Sequence, residues 1–158
     1  MKKRKLLILS IFLIFSILLL GSCKTDSSKK LVQQETVQEM IEVSLSVDCI
    51  NAYNADNETA KIISDQGIIL EEEVFLLAEN STVKDLLFTS GLTIKSIKGT
   101  LGTYISSIES LSEFAVDGKG GWVYFVNGEM PNYSIDKYIL ETGDYVEIRY
   151  TIKRGDVQ

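Results

Sequence analysis

The sequence contains no histidine, one proline, one tryptophan and two cysteines among its 158 residues. Without histidine there is no Ser-His-Asp triad, no Cys-His pair and no imidazole metal ligand anywhere in the chain. No nucleophile elbow, phosphate-binding loop or dinucleotide fingerprint occurs either. Paired carboxylates serve glycosidases in principle, but a single small domain is a poor host for that cleft. These absences point away from an enzyme, with no catalytic residue, no catalytic cofactor and no metal site expected. Basic residues are also scarce: 16 Lys and Arg stand against 22 Asp and Glu, a net charge of −6. An acidic surface repels phosphate backbones and anionic headgroups, so nucleic acid is not an expected partner.

What is present starts with an exception to that charge balance. Lys2, Lys3, Arg4 and Lys5 precede an uncharged stretch, Leu6 to Leu20, with only Ser10 and Ser16 as polar members. The stretch is short for a bilayer span, which needs about 20 apolar residues. A basic start, a short apolar core and small residues after it describe a secretory signal peptide. Leu20-Gly21-Ser22-Cys23 resembles the bacterial lipoprotein processing site, whose cysteine becomes the lipidated N-terminus. Residues 1–22 are therefore expected to be a lipoprotein signal peptide and Cys23 the lipidation site. More than one acyl chain holds a membrane stably, which implies a domain leashed to the extracytoplasmic face of the cell membrane. Processing would remove four basic residues and no acids, taking the net charge to −10. Attachment would then come from the lipid and not from surface charge.

Residues 23–40, "CKTDSSKKLVQQETVQEM", show no sustained apolar period. They read as the lipidated cysteine and a flexible tether, reaching roughly 20–25 Å. From Ile41 the pattern changes. Ile41, Val43, Leu45, Val47 and Cys49 alternate with Glu42, Ser44, Ser46 and Asp48, predicting a strand over Ile41 to Tyr53. Cys49 falls on its buried face and acts as a small hydrophobe. With Cys23 consumed by the anchor, Cys49 has no partner for an intramolecular disulfide.

A loop with a helical turn near Thr59 to Ile63 leads to a second strand, Ile68 to Leu77. Glu71, Glu72 and Glu73 lie inside it. Three adjacent acids cannot all be buried, which places this strand at an edge. Neighbours in a strand point to opposite faces, so the three acids read as a solvated edge and not as a metal cluster. "AENSTVKDLLFTSGL" reads as the main helix: Ser81 or Thr82 caps it, Asp85 suits its first turn, Val83, Leu86 and Leu87 form one apolar face, and Gly91 stops it. Leu92 to Lys98, Tyr104 to Ile108 and Glu113 to Val116 are short strand candidates. Trp122 to Val126 and Tyr145 to Ile152 are strong ones. In the last, Val146, Ile148, Tyr150 and Ile152 face inward. Two hairpins either side of one helix predict an α+β fold, β-grasp-like, with one helix packed on a mixed β-sheet over 41–152. Residues 153–158 form a C-terminal tail.

The aromatic residues are unevenly spread. Gly120 to Thr151 holds the only Trp, the only Pro and five of the seven Tyr. Trp122, Tyr124, Asn127, Met130, Asn132, Tyr133 and Tyr138 lie on or beside one turn-rich loop, and are the candidate ligand-binding residues. Flat rings with polar tips suit an amphipathic ligand, and the two amides supply directed hydrogen bonds. Strand alternation also requires that either Trp122, Tyr124 and Val126, or Val123 and Phe125, be core. Asn127-Gly128 is sufficient as a turn on its own account.

The same stretch resembles the bacterial transcobalamin-like C-terminal domain family. The resemblance is carried by Gly121-Trp122, Tyr124-Phe125, Asn127-Gly128-Glu129, Pro131-Asn132, Tyr138, Gly143-Asp144 and Tyr150-Thr151, with "VSLSVDC", "GIILEEEVFLLAENSTVKDLL" and "YISSIESLSEF" upstream. It spans about Ile41 to Ile152. It implies a β-grasp fold of the kind that closes over one face of the corrinoid in vertebrate cobalamin carriers. Those carriers add a helical domain for which this chain has no room. The family often has further cysteines able to pair with the one in "VDC", and "EFAVDG" and "PNYSIDK" here have none. The resemblance implies a membrane-anchored extracellular binding protein for cobalamin or another corrinoid-like amphipathic ligand, held as a ligand and passed to an importer. The alternative is a cell-surface module that contacts a partner protein or glycan and takes no small molecule.

Overall fold

A computed structural model describes residues 38–157. The expected signal peptide, Cys23 and all but the last residues of the expected tether lie outside the described residues. The described chain is α+β. Its main sheet has four strands, β1 (Met40–Asp48), β2 (Ile68–Ala78), β6 (Gly121–Val126) and β7 (Tyr145–Thr151), in the order β2-β1-β7-β6. The central pair β1 and β7 is parallel, and the two outer pairs are antiparallel. A second sheet holds β3 (Ile94–Lys98), β4 (Thr103–Ile108) and the two-residue β5 (Leu111–Ser112), in that order. Three helices are described: α1 (Ile50–Asn54), α2 (Glu58–Ile63) and α3 (Val83–Thr89).

The alternation read in β1 holds. Val43, Leu45 and Val47 are buried, while Ser44 and Ser46 are half-exposed. The strand is shorter than expected, however, ending at Asp48 and not at Tyr53. The period of two runs out where Cys49 and Ile50 stand side by side. The Asp48 carboxylate then accepts from the Ile50 N–H at 3.3 Å and Cys49 starts α1. Asn51 and Ala52 anchor this helix. Ala52 is buried, and the Asn51 amide donates to the Tyr150 and Asp156 carbonyls. Cys49 is a free, buried thiol, and burial pushes its pKa up, so it stays protonated and packs as an apolar group.

Helix α3 forms as its sequence predicts. Thr82 and Asp85 make a reciprocal capping box: Thr82 N–H donates to the Asp85 carboxylate at 2.8 Å and Asp85 N–H donates to Thr82 Oγ1 at 3.3 Å. Val83, Leu86 and Leu87 are wholly buried, each worth about 1.5–3 kcal/mol of apolar burial. The helix lies over the same core as Leu45, Val146, Ile148 and Tyr150.

Glu113 to Val116 is not a strand. Phe114 has φ +61°, Val116 and Lys119 close a tight turn, and the pairing partner of β4 is Leu111–Ser112 instead. Tyr150 holds this turn from below, its hydroxyl donating to the Ser112 carbonyl at 2.9 Å and accepting from Ala115 N–H at 3.1 Å. Gly120 sits against the same ring. At φ +97°, a Cβ there would lie 2.7 Å from the Tyr150 ring and 2.8 Å from the Thr151 carbonyl, so only glycine fits. Beyond β7, the Asp156 carboxylate accepts from Ile152 and Lys153 N–H at 2.8 and 3.0 Å, folding the tail into a turn.

Candidate functional site

A groove of about 540 Å³ lies between the β3–β4 hairpin and β6. One wall is the β3–β4 hairpin tip and the start of β4, Gly99 to Ile105. The other is β6 through Trp122 and Tyr124, and Asn132 to Ile135 closes the end. The volume is within the usual range of small-molecule sites.

β6 resolves the choice that alternation left open. Trp122, Tyr124 and Val126 belong to the main core, and Phe125 is buried on the opposite face of the sheet beneath the Arg149 guanidinium. Trp122 is 8% exposed; its indole N–H donates to the Leu111 carbonyl at 3.0 Å, and its ring meets Tyr150 edge-on at 5.1 Å. Tyr124 donates its hydroxyl to the Tyr133 carbonyl at 2.7 Å and packs edge-on to Tyr138 at 6.3 Å. Burial pushes the Tyr124 phenol up to about 12, so it stays a neutral donor that fixes the 132–135 segment.

The hairpin tip is latched to that segment. Thr103 N–H donates to Asp136 Oδ1 at 2.9 Å, and the Lys137 ammonium donates to the Leu101 carbonyl at 3.0 Å. The Ser134 hydroxyl beside Asp136, with the Thr103 N–H, holds the Asp136 carboxyl well below the usual carboxylate range. Gly102 makes the approach possible: at φ +136°, a Cβ would lie 1.9 Å from Ser134 Oγ. The rim above this latch is apolar. Leu101 is 90% exposed and Tyr133 64%, with Tyr104 and Ile97 beside them on the hairpin.

Of the seven residues expected from sequence, Trp122, Tyr124, Asn132 and Tyr133 line this groove. Asn127, Met130 and Tyr138 do not. Asn127 stands at φ +54° and serves its turn, donating to the Asp144 carboxylate at 2.8 Å and accepting from Tyr145 N–H at 2.9 Å. Met130 is exposed on the loop, and Tyr138 is half-buried behind Tyr124. The sequence reading missed the opposite wall. "KGTLGTYI" carries its signal in Leu101 between Gly99 and Gly102, an apolar residue held out by a hairpin tip.

Comparison with known proteins bears on the fold. Residues 80–151 match the family described as a domain of unknown function (DUF4430). The crystal structure of haptocorrin in complex with Cbi superposes with a TM-score of 0.50 at 17% identity, over 73% of this chain. This chain spans 26% of haptocorrin. A candidate metal-binding protein from Ruminococcus gnavus superposes with a TM-score of 0.49 at 17% identity, covering 72% of this chain and 98% of that one. No curated protein matches the chain. At 17% identity the haptocorrin likeness bears on the fold alone. Among the described residues, no group of three or more His, Cys, Asp or Glu could hold a metal ion, and no helix is long and apolar enough to cross a membrane.

Proposed function

We propose that the domain is a non-catalytic binding module whose groove receives one face or edge of a flat amphipathic ligand of corrinoid type. The observation that carries this is the groove itself: about 540 Å³, walled by Trp122, Tyr124, Tyr104 and Tyr133, and free of Asp, Glu, Lys and Arg along its lining. Rings offer a macrocycle apolar surface, while the Asn132 amide, Thr103 and the phenols offer partners to neutral polar groups on its fringe. A groove of this size cannot enclose a whole corrinoid, so one face of the ligand stays open to a second protein. Haptocorrin, whose structure was solved with Cbi, supports the class of ligand.

The leader and Cys23 place this module, in our reading, on a lipid leash at the extracytoplasmic face of the membrane, where it hands its ligand to an importer. Labelling the full-length chain with an acyl-chain probe tests the leash; the label should vanish in Cys23→Ser. The ligand is tested by titrating cobalamin and cobinamide into the full-length chain in detergent and following Trp122, the only indole. Saturable quenching at micromolar ligand is expected, and an unchanged signal for both corrinoids would refute the reading.

A second reading has its own support. Leu101 and Tyr133 stand out from the rim at 90% and 64% exposure, which suits a surface partner as well as a small molecule.

A further inference from the structure

β1 and β7 alternate along their length, so the main sheet has a second face. Val43, Leu45, Val47, Val146 and Ile148 turn toward the core, and the buried residues of the three described helices, Ala52, Ala60 and Leu86 among them, pack in the same core. Ser44, Ser46 and Asp48 on β1, with Tyr145, Glu147 and Arg149 on β7, turn the other way. Trp122 and Tyr124 belong to the core side, so this outer face is separate from the groove.

Two features stand side by side on it. At one end is a hollow of about 330 Å³, whose lining holds Asp48, Glu71, Glu72 and Glu147 and, among the described residues, one cation, Arg149. Arg149 is already engaged, paired with Glu147 and lying 3.7 Å from Asp48 Oδ2. Four carboxylates against one guanidinium leave the hollow with an excess of negative charge. Burial pushes the Asp48 carboxyl above its ordinary value even with Arg149 beside it, and an added cation would favour its charged form.

At the other end the face is apolar. Val74 lies opposite Ser44, Leu76 lies opposite Glu42, and Met40 is the next outward residue of β1. Val74 and Leu76 are each 61% exposed and Met40 is 55% exposed. At about 3.3 Å per residue, Met40 is roughly 20 Å from Ser46 along β1. Apolar side chains beside an acidic hollow suit a partner that brings both apolar and basic groups. The same acids repel an anionic lipid surface. A helix rises about 1.5 Å per residue, so roughly fourteen residues span this face. One turn and two turns beyond a cation over the hollow, such a helix sets apolar residues over Val74, Leu76 and Met40.

We propose that the outer face of β1 and β2 docks a basic amphipathic helix of a partner protein, with a lysine or arginine in the acidic hollow and an apolar stripe on Val74, Leu76 and Met40. Docking on the face leaves the edge of β2 unpaired. The contact is small, at the low end of specific interfaces, which makes it a transient one. The proposal concerns a different surface from the groove and holds or fails apart from the small-ligand reading.

The probe is an alanine-based peptide of about fourteen residues, with two lysines in its first turn and leucines at helical spacing after them. Two controls carry glutamate for the lysines or serine for the leucines. Each is titrated into the full-length chain, labelled with nitrogen-15, in neutral detergent. Amide shifts are expected on Glu42 to Asp48, Glu72 to Leu76 and Tyr145 to Arg149, with none at Ile105, Trp122 or Tyr124. The glutamate peptide should bind at least about tenfold more weakly, because like charges then meet in the hollow. The serine peptide should weaken by about tenfold through lost apolar burial. On the protein side, Glu72→Lys and the pair Val74→Ser with Leu76→Ser should each weaken the lysine peptide, with urea unfolding unchanged because these positions are exposed. Equal binding of the lysine and glutamate peptides, shifts confined to the groove, or no shift at millimolar peptide would overturn the proposal. Shifts on this face produced by anionic lipid in mixed micelles, and not by the peptide, would assign it to a membrane surface and overturn the proposal as well.

Discussion

Among the described residues the main sheet has two outer strands, and they are built in opposite ways. β2 is long and edged with acid: Glu71, Glu72 and Glu73 are all exposed, and its register against β1 is broken twice near them. Charge and irregular pairing are the devices that stop an edge strand from recruiting another chain, and β2 needs them because Val74 and Leu76 are each 61% exposed. β6 is short, regular and uncharged from Gly121 to Val126. It lies beside a groove whose lining is also free of charge. One edge carries three exposed carboxylates and the other none, and on the proposed reading the uncharged edge marks the binding end of the molecule.

The largest effect should come from removing the ring that links β6 to the second sheet. Trp122→Ala deletes the indole bond to Leu111 and the edge contact with Tyr150, and large-to-small changes of this kind cost about 3–5 kcal/mol. Urea unfolding should show the loss, and binding at the groove should fail with it. A change below 1 kcal/mol would mean that β6 is not part of the core.

The next test reverses the character of β2. Replacing Glu71, Glu72 and Glu73 together by threonine should leave the fold intact and make the protein self-associate. Sedimentation should then show a concentration-dependent shift absent from the parent chain, while groove binding stays unchanged. A variant that remains monomeric at high concentration would show that the acids do not protect this edge.

How much of this contrast was legible beforehand follows from the range of the forces. The β2 edge was readable because three adjacent acids cannot be buried, which is a local fact. Helix α3 was readable for the same reason, its cap and apolar face lying within a few residues of one another. β1 was overrun by five residues because "CINAY" continues apolar while the backbone turns on Asp48 and Asn51, and Asn51 finds its partners about a hundred residues away. The alternation of β6 gave two options, and only the position of the second sheet decides between them. Half of the groove was invisible for a like reason. Gly102 meets Ser134, and Thr103 meets Asp136, across more than thirty residues of chain.

That latch gives a test by pH. The Asp136 carboxyl has its folded pKa lowered by the Ser134 hydroxyl and the Thr103 N–H. A depressed carboxylate contributes stability that is present above the unfolded value, near 4, and is lost as pH falls through the folded value. Acid should therefore loosen the hairpin tip first, read as a falling protection factor for the Thr103 amide below about pH 4. Asp136→Asn should show that lost protection already at neutral pH, with little further change on acidification.

The smallest effect on folding should accompany a large effect on binding, and this is the sharpest form of the comparison. Leu101 and Tyr133 protrude, so they contribute little to the core, and exposed positions usually tolerate change within about 0.5 kcal/mol. Leu101→Ser and Tyr133→Ala should each unfold close to the parent in urea. Both should nevertheless weaken whatever enters the groove, because these two side chains line it. Val74→Ser and Leu76→Ser on β2 are the matched controls, equally exposed and apolar but on the closed edge, and they should bind like the parent. If the β2 pair weakened binding as much as the rim pair, the two edges would not differ in function, and the contrast would describe only how the sheet avoids aggregation.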